Sequence, residues 1–185
     1  MKNYEGDTVD REARIDAMLD KQEIFECLLR YTRGIDRHDV ELARSAYHED
    51  GRDDHAHFVG SGYDMIDWVN EAHDQLFRGH QHYIANVQID LEGDQAHAET
   101  YNLVVGQKRD GLGHILGGGR YLDRLERREA RWRIVDRIVI VEWADTYEEH
   151  ADLAFPPTQD RSDPSYDRPL RVTRQERRPG VGDQR

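Results

Sequence analysis

The apolar residues of this chain change their spacing once, at Gly79, and that single change restricts the fold more than any other feature. Before it, Ile24, Leu28, Leu29, Tyr31 and Ile35 recur at helical spacing, as do Met65, Ile66, Trp68, Val69, Ala72, Leu76 and Phe77. After it the period is two. Tyr83, Ala85, Val87, Ile89 and Leu91 fall on one side of a strand, and His82, Ile84, Asn86, Gln88 and Asp90 on the other. Helices first and strands afterwards is an α+β plan, with the helices gathered on one face of an antiparallel sheet.

Taken in order, residues 9–36 read as a helix with a break near Asp20, and 40–47 as a second short one. His48-Glu-Asp-Gly51 is turn chemistry, and 52–59 is a brief strand or an irregular connection. A third helix covers 63–77. Strands follow at 81–91, 95–107, 114–126 and 131–143, the first two joined through Glu92-Gly93-Asp94 as a hairpin. Gly117-Gly118-Gly119, inside the third of these strands, predicts a bulge or tight bend in a curved sheet. A sheet curled around helices makes a cone with an open mouth, a natural pocket for a small molecule.

Composition then removes whole classes of function. A net charge of -12 over 185 residues argues against a nucleic-acid partner, because phosphate binding needs a basic surface. Cys27 is the sole cysteine, so disulfides and cysteine metal sites within one chain are excluded, and a reducing compartment is expected. Among apolar helix neighbours it reads as a small core residue. No apolar run approaches the length of a membrane span, and the polar start shows no secretory pattern; the expectation is a cytoplasmic protein without a membrane partner. Residues 1–148 form the predicted domain, and 149–185 a Pro- and Arg-rich extension, partly ordered or wrapped on a neighbouring subunit.

Two positions focus the search for chemistry. Asp36, at the end of the first apolar stripe, is a cap for the helix starting near Asp39 or a buried carboxylate with a partner. His82, at the start of the first long strand, is a satisfied polar residue or a base. Paired, the two make an Asp-His dyad in which the carboxylate fixes the imidazole tautomer and favours its protonated form. Tyr31 reads as core with its hydroxyl at a wet rim, or as a donor beside such a base. It precedes Asp36 by five residues, so a break at Gly34 is needed for both to reach one cavity. Tyr47, Trp68, Tyr101, Asn102 and Arg120 are candidates for binding substrate. Asp53-Asp54-His55-Ala-His57 holds the ligand types of zinc, iron or manganese, but no second ligand group accompanies it. No metal is expected there, and His55 is placed at the pocket mouth. No phosphate-binding glycine loop and no Gly-x-Ser-x-Gly elbow is present, so no cofactor is expected.

Several stretches together resemble a known family: the Tyr31 to Asp36 helix end, Tyr47-His-Glu-Asp-Gly-Arg-Asp-Asp-His55 followed by Gly60, His82-Tyr-Ile-Ala-Asn86, Gly93-Asp94-Gln-Ala-His-Ala-Glu-Thr-Tyr101, and Gly119-Arg-Tyr-Leu-Asp-Arg124 through Trp132-Arg-Ile-Val. Over about residues 10–145 the chain resembles the SnoaL-like branch of the nuclear transport factor 2-like superfamily, which includes scytalone dehydratase, bile-acid 7α-dehydratase, hexachlorocyclohexane dehydrochlorinase and ketosteroid isomerase. The resemblance implies a cone-shaped α+β barrel, with N-terminal helices packed in a strongly curved, mostly antiparallel sheet, assembled as a trimer or dimer. It also implies that Asp36 and His82 match the helix-end Asp and strand His of the dehydratase base, and Tyr31 the tyrosine of the bile-acid enzyme. That enzyme carries an arginine late in its last strand, where the aligned position here is Val141. Its role is then expected from Tyr31, His55, Tyr101 or Arg120.

The resulting expectation is a cofactor-independent lyase acting on a hydrophobic cyclic or aromatic small molecule, releasing water, halide or a carbon fragment such as formaldehyde. An isomerase or cyclase of the ketosteroid isomerase type and a non-catalytic binding or oligomer-forming module are the alternatives.

Overall fold

The structure, a computed structural model, describes residues 10–55 and 57–147. The Pro- and Arg-rich extension expected at 149–185 lies outside the described residues. Helix α1 (Arg11–Asp36) is capped by Asp10 and runs without the break expected near Asp20. The Asp20 carboxylate instead accepts from the Trp132 indole N–H at 2.8 Å and from Arg127 at 2.8 Å, contacts an intact helix can make. Helix α2 (Val40–Arg44) follows after a tight corner, with Asp39 as its N-cap. At that corner His38 takes a positive φ and the Asp39 N–H donates to the Gly34 carbonyl at 2.9 Å. A Cβ at Gly34 would collide with the backbone of Ala43, so glycine there lets α2 lie directly on α1.

Strand β1 (Tyr47–Asp54) replaces the turn expected at 48–51. Its pairing with the last strand slips between Tyr47 and Arg52, so the turn-forming residues are absorbed as a bulge within a strand. Then come β2 (Val59–Ser61), α3 (Gly62–Leu76), β3 (Phe77–Glu92), β4 (Gln95–Lys108), β5 (His114–Arg128) and β6 (Arg131–Tyr147). The six strands form one sheet in the order β2-β1-β6-β5-β4-β3. All neighbours are antiparallel except β1 and β6. The architecture is the expected α+β arrangement, with the cone left open: β2 and β3 are the two edges.

Of the five register shifts among the described residues of the sheet, three bear on the site. One sits opposite the glycine run between Gly118 and Gly119, where Glu142 of β6 is the extra residue. The other two change which residues face inward. In β3 the shift between Ile84 and Val87 lets His80, His82 and Ile84 share the inner face with Val87, Ile89 and Leu91, though their parity differs. In β6 the shift between Ile134 and Asp136 has the same effect. Trp132 and Ile134 point inward, then Val135, Arg137 and Val139, while Ile138 is half exposed.

The core lies between α1 and this concave face. Ile24, Cys27, Leu28, Tyr31 and Ile35 from α1 pack against Ala96, Ala98, Tyr121, Leu125, Trp132 and Ile134 from the sheet, with Met65 and Ile66 from α3 closing one side. Burial pushes the Cys27 thiol up to about 11, and its Sγ–H donates to the Ala46 carbonyl at 3.3 Å, as befits a small core residue. Among the described residues no helix is long and apolar enough to cross a membrane.

Deep in this core sits one ion pair. Arg137 donates to Asp123 through Nε at 2.6 Å and Nη2 at 2.8 Å, and both side chains are wholly buried. Removing one partner strands the other charge in a dry interior, so Arg137→Leu should cost about 3–5 kcal/mol in urea denaturation, whereas Asp123→Leu with Arg137→Leu should recover most of that loss.

Candidate active site

Asp36 is the last residue of α1, and because Asp39 caps α2, the Asp36 carboxylate is left to turn towards β3. There it accepts from the His82 backbone N–H with both oxygens, at 3.1 and 3.0 Å, and meets His82 Nδ1 at 2.6 Å. Two links therefore join a helix end to a strand, one through the main chain and one through the ring. Both side chains are mostly shielded, His82 at 7% and Asp36 at 13% exposed. With Nδ1 bound to a carboxylate, the proton of a neutral ring resides on Nδ1, and Nε2 keeps its lone pair.

More imidazoles gather behind this pair. α3 passes into β3 with no intervening loop, since Leu76 ends one and Phe77 begins the other. That junction brings His73, in the last turn of α3, against His80, with Nδ1 and Nε2 3.1 Å apart. His80 Nε2 also stands 3.8 Å from Asp36 Oδ1, and the His38 ring lies 5.6 Å from that of His80. Burial, reinforced by the neighbouring imidazoles, pushes His73 down to about 2 and His80 down to about 4, so both are neutral near pH 7.

The sequence reading does not foresee His73, His80 or Arg137. Strict alternation from Trp132 and Ile134 turns Arg137 outward, and the extra residue at Val135 turns it in. Val141, the position expected to align with a family arginine, is 64% exposed; the buried arginine of the last strand is Arg137. Its Cζ lies 4.1 Å from the centroid of the Tyr31 ring, 4.3 Å from Tyr121 and 5.8 Å from Tyr47. Burial works against its charge, but Asp123 and the tyrosine hydroxyls outweigh that and hold the guanidinium protonated. Burial also raises the hydroxyls of Tyr31, Tyr47 and Tyr121 well above the usual range, so all three stay as O–H donors.

The other sequence-predicted residues divide by face. Tyr47 donates to Asp53 at 2.5 Å, and Asp53 also meets His55 Nδ1 at 3.2 Å, placing His55 beside the tyrosine group. The Trp68 ring is edge-on to His55 and stacked on Phe58. Asn102 and Thr100 face inward from β4, and Asn102 Nδ2, Thr100 Oγ1 and Arg137 Nη1 are buried without a partner. Tyr101 and Arg120 stand on the opposite, outer face, where Arg120 bonds Glu99 at 2.8 Å and Glu142 at 2.7 Å and lies near the Tyr101 ring. Strand alternation separates them from the interior. Nor does α1 break at Gly34: Tyr31 meets Arg137 while Asp36 meets His82, and Tyr121 stands between the two groups, 5.7 Å from Tyr31 and close enough to feel the Asp36 charge.

Because His73 and His80 bind protons less readily folded than unfolded, the unfolded chain takes up more protons below the ordinary value of 6.5. Stability that is complete above that value should fall as pH drops through 6 and 5 towards the His80 value of about 4, and His80→Gln should flatten the fall. Melting temperatures taken between pH 7.5 and 5 would show it.

The SnoaL-like domain family matches residues 16–138. No curated protein matches the chain. Among solved structures, hexachlorocyclohexane dehydrochlorinase LinA-type3 from Novosphingobium barchaimii LL02 is similar at 17% identity and a TM-score of 0.69, over 76% of this chain and 98% of that one. A protein from Novosphingobium aromaticivorans DSM 12444 that carries the scytalone dehydratase name aligns at 19% identity and 0.64, over 73% and 92%. A cystatin-like-fold protein of unknown function from Nostoc punctiforme PCC 73102 aligns at 26% and 0.58, over 67% and 92%. The first two likenesses are of fold. The family match spans most of the described residues and takes in Asp36, His82 and Arg137, and the chain belongs to the SnoaL-like domain family.

Proposed function

We propose that the protein is a lyase that removes a proton from a hydrophobic cyclic or aromatic small molecule and expels a neighbouring group, with His82 as the base. The observation that carries this reading is the 2.6 Å contact between His82 Nδ1 and Asp36, on a carboxylate also held by the His82 main-chain N–H. Anchored so, the ring presents Nε2 as its basic nitrogen, and the carboxylate stabilises the imidazolium that forms when Nε2 takes the substrate proton. The electron pair left on carbon forms the new double bond as the leaving group departs. Tyr31, Tyr121 and Arg137 supply donors for that group or for an oxyanion, all of them O–H or N–H at neutral pH. A base and donors of this kind need no cofactor for this step. Dehydratase and dehydrochlorinase names among proteins of like fold agree with an elimination.

The chemistry is tested by the product. Incubation with cyclic and aromatic compounds that carry a hydroxyl or halide beside an acidic C–H should yield a product lighter by water or hydrogen halide. A product of unchanged mass would make the protein an isomerase or cyclase and reject the lyase reading. In the same assay His82→Ala and Asp36→Asn should each lower kcat by ~10² to 10⁴ while circular dichroism stays unchanged. A folded His82→Ala protein that keeps most of its turnover would remove His82 from the mechanism.

A further inference from the structure

Proton abstraction uses Asp36 and His82 and leaves His80 and His73 without a role. Yet Asp36 Oδ1, His80 Nε2 and His82 Nδ1 all lie within 4.8 Å of one another. The Oδ1 to His82 Nδ1 distance is 2.6 Å, and Oδ1 to His80 Nε2 is 3.8 Å. Ligands about 2.0–2.1 Å from a shared tetrahedral ion stand roughly 3.4 Å apart, between those two values. Changes of under an ångström in each of these two distances would bring Asp36 Oδ1 to ligand spacing from both imidazole nitrogens.

The tautomers point the same way. The His80 ring donates to the Ile35 carbonyl, and with Nε2 turned towards Asp36 and His73, Nδ1 is the nitrogen left for that bond. His80 Nε2 therefore carries a lone pair, which accepts from His73 Nδ1–H at 3.1 Å and also stands 3.8 Å from a carboxylate oxygen in a mostly shielded site. Two electron-rich atoms so placed repel each other, and a cation between them would turn that repulsion into attraction. An imidazole fixed by a backbone carbonyl through its other nitrogen is also the usual arrangement of a metal-ligating histidine.

We propose that Asp36, His80 and His82 bind a divalent transition ion of the zinc class through two imidazole nitrogens and one carboxylate oxygen, with His73 beside the open coordination position. Ligation through His82 Nδ1 takes the other neutral tautomer, with the ring proton moved to Nε2. An occupied site takes Asp36 and His82 out of the dyad, so an ion there opposes proton abstraction. Only that last consequence rests on the lyase reading.

The test needs no substrate. The full chain, stripped with a chelator, is titrated with Co²⁺ by visible absorption and with Zn²⁺ by calorimetry. Expected are one ion per chain, cobalt bands of low coordination number, and binding weakened roughly tenfold or more in His80→Gln and in His82→Gln. His80→Cys, which restores a ligand, should regain the ion, separating lost coordination from lost packing. Absence of binding, or binding that survives His80→Gln and disappears in His55→Gln, overturns the assignment. Neither result bears on whether His82→Ala abolishes turnover.

Discussion

The Asp36 carboxylate is the joint on which this molecule turns. It ends α1, and three hydrogen bonds run from it to one residue of β3, an edge strand among the described residues. Bringing a carboxylate this far from water costs several kcal/mol unless partners replace the lost hydration. Main-chain and ring donors do so here, and they also set the height of β3 relative to α1. Neighbouring parts contribute to its placement. Asp39 takes the cap that Asp36 could have served, and Gly34 lets α2 fold back so that α1 ends where it does. The carboxylate is thus placed by elements whose own reasons are purely structural.

Much of this was legible in the residues because the period of burial changes where the secondary structure changes. The α+β order, the hairpin at Gly93 and the bend at Gly118 all follow from patterns local to a few residues. The Asp36 and His82 pairing was reached by chemical complementarity and by family likeness, and α1 and β3 do bring the two together. What escaped depends on parity. A bulge adds one residue to one strand and reverses every side chain beyond it, and nothing in the local composition of Ile134-Val-Asp-Arg137 announces one. Strict alternation from Trp132 and Ile134 turns Arg137 outward and Ile138 inward, the reverse of their positions. His48-Glu-Asp-Gly51 failed for a related reason: residues that favour turns when alone can be held extended when β6 offers hydrogen bonds alongside.

His73 and His80 were hidden differently. Each is unremarkable in its own element, one at the end of a helix and one at the start of a strand. They meet because no loop separates α3 from β3, and a boundary set a few residues late, at Gln81, leaves His80 in a connection where its neighbours cannot be inferred. An error of this size barely changes the fold but decides the membership of a site.

Two polar groups in one small interior invite the question of why both persist. The Arg137 and Asp123 pair could be exchanged for apolar residues without loss, and often with gain, if stability were the sole demand. Its surroundings favour another reason. The guanidinium is ringed by three aromatic faces and neutralised by Asp123, yet Nη1 remains without an acceptor, as do the nearby amide of Asn102 and the hydroxyl of Thr100 as donors. Buried donors are rarely left unpaired, because each forfeits its hydration for nothing. Their shared inner face also carries His82, across β4 from Tyr121 by way of Thr100 and Asn102. The unpaired donors and the Asp36–His82 pair thus belong to one concave face of the sheet. On the proposed lyase reading, a substrate that gathers negative charge on one atom as it loses a proton from another is the ligand such an arrangement would favour.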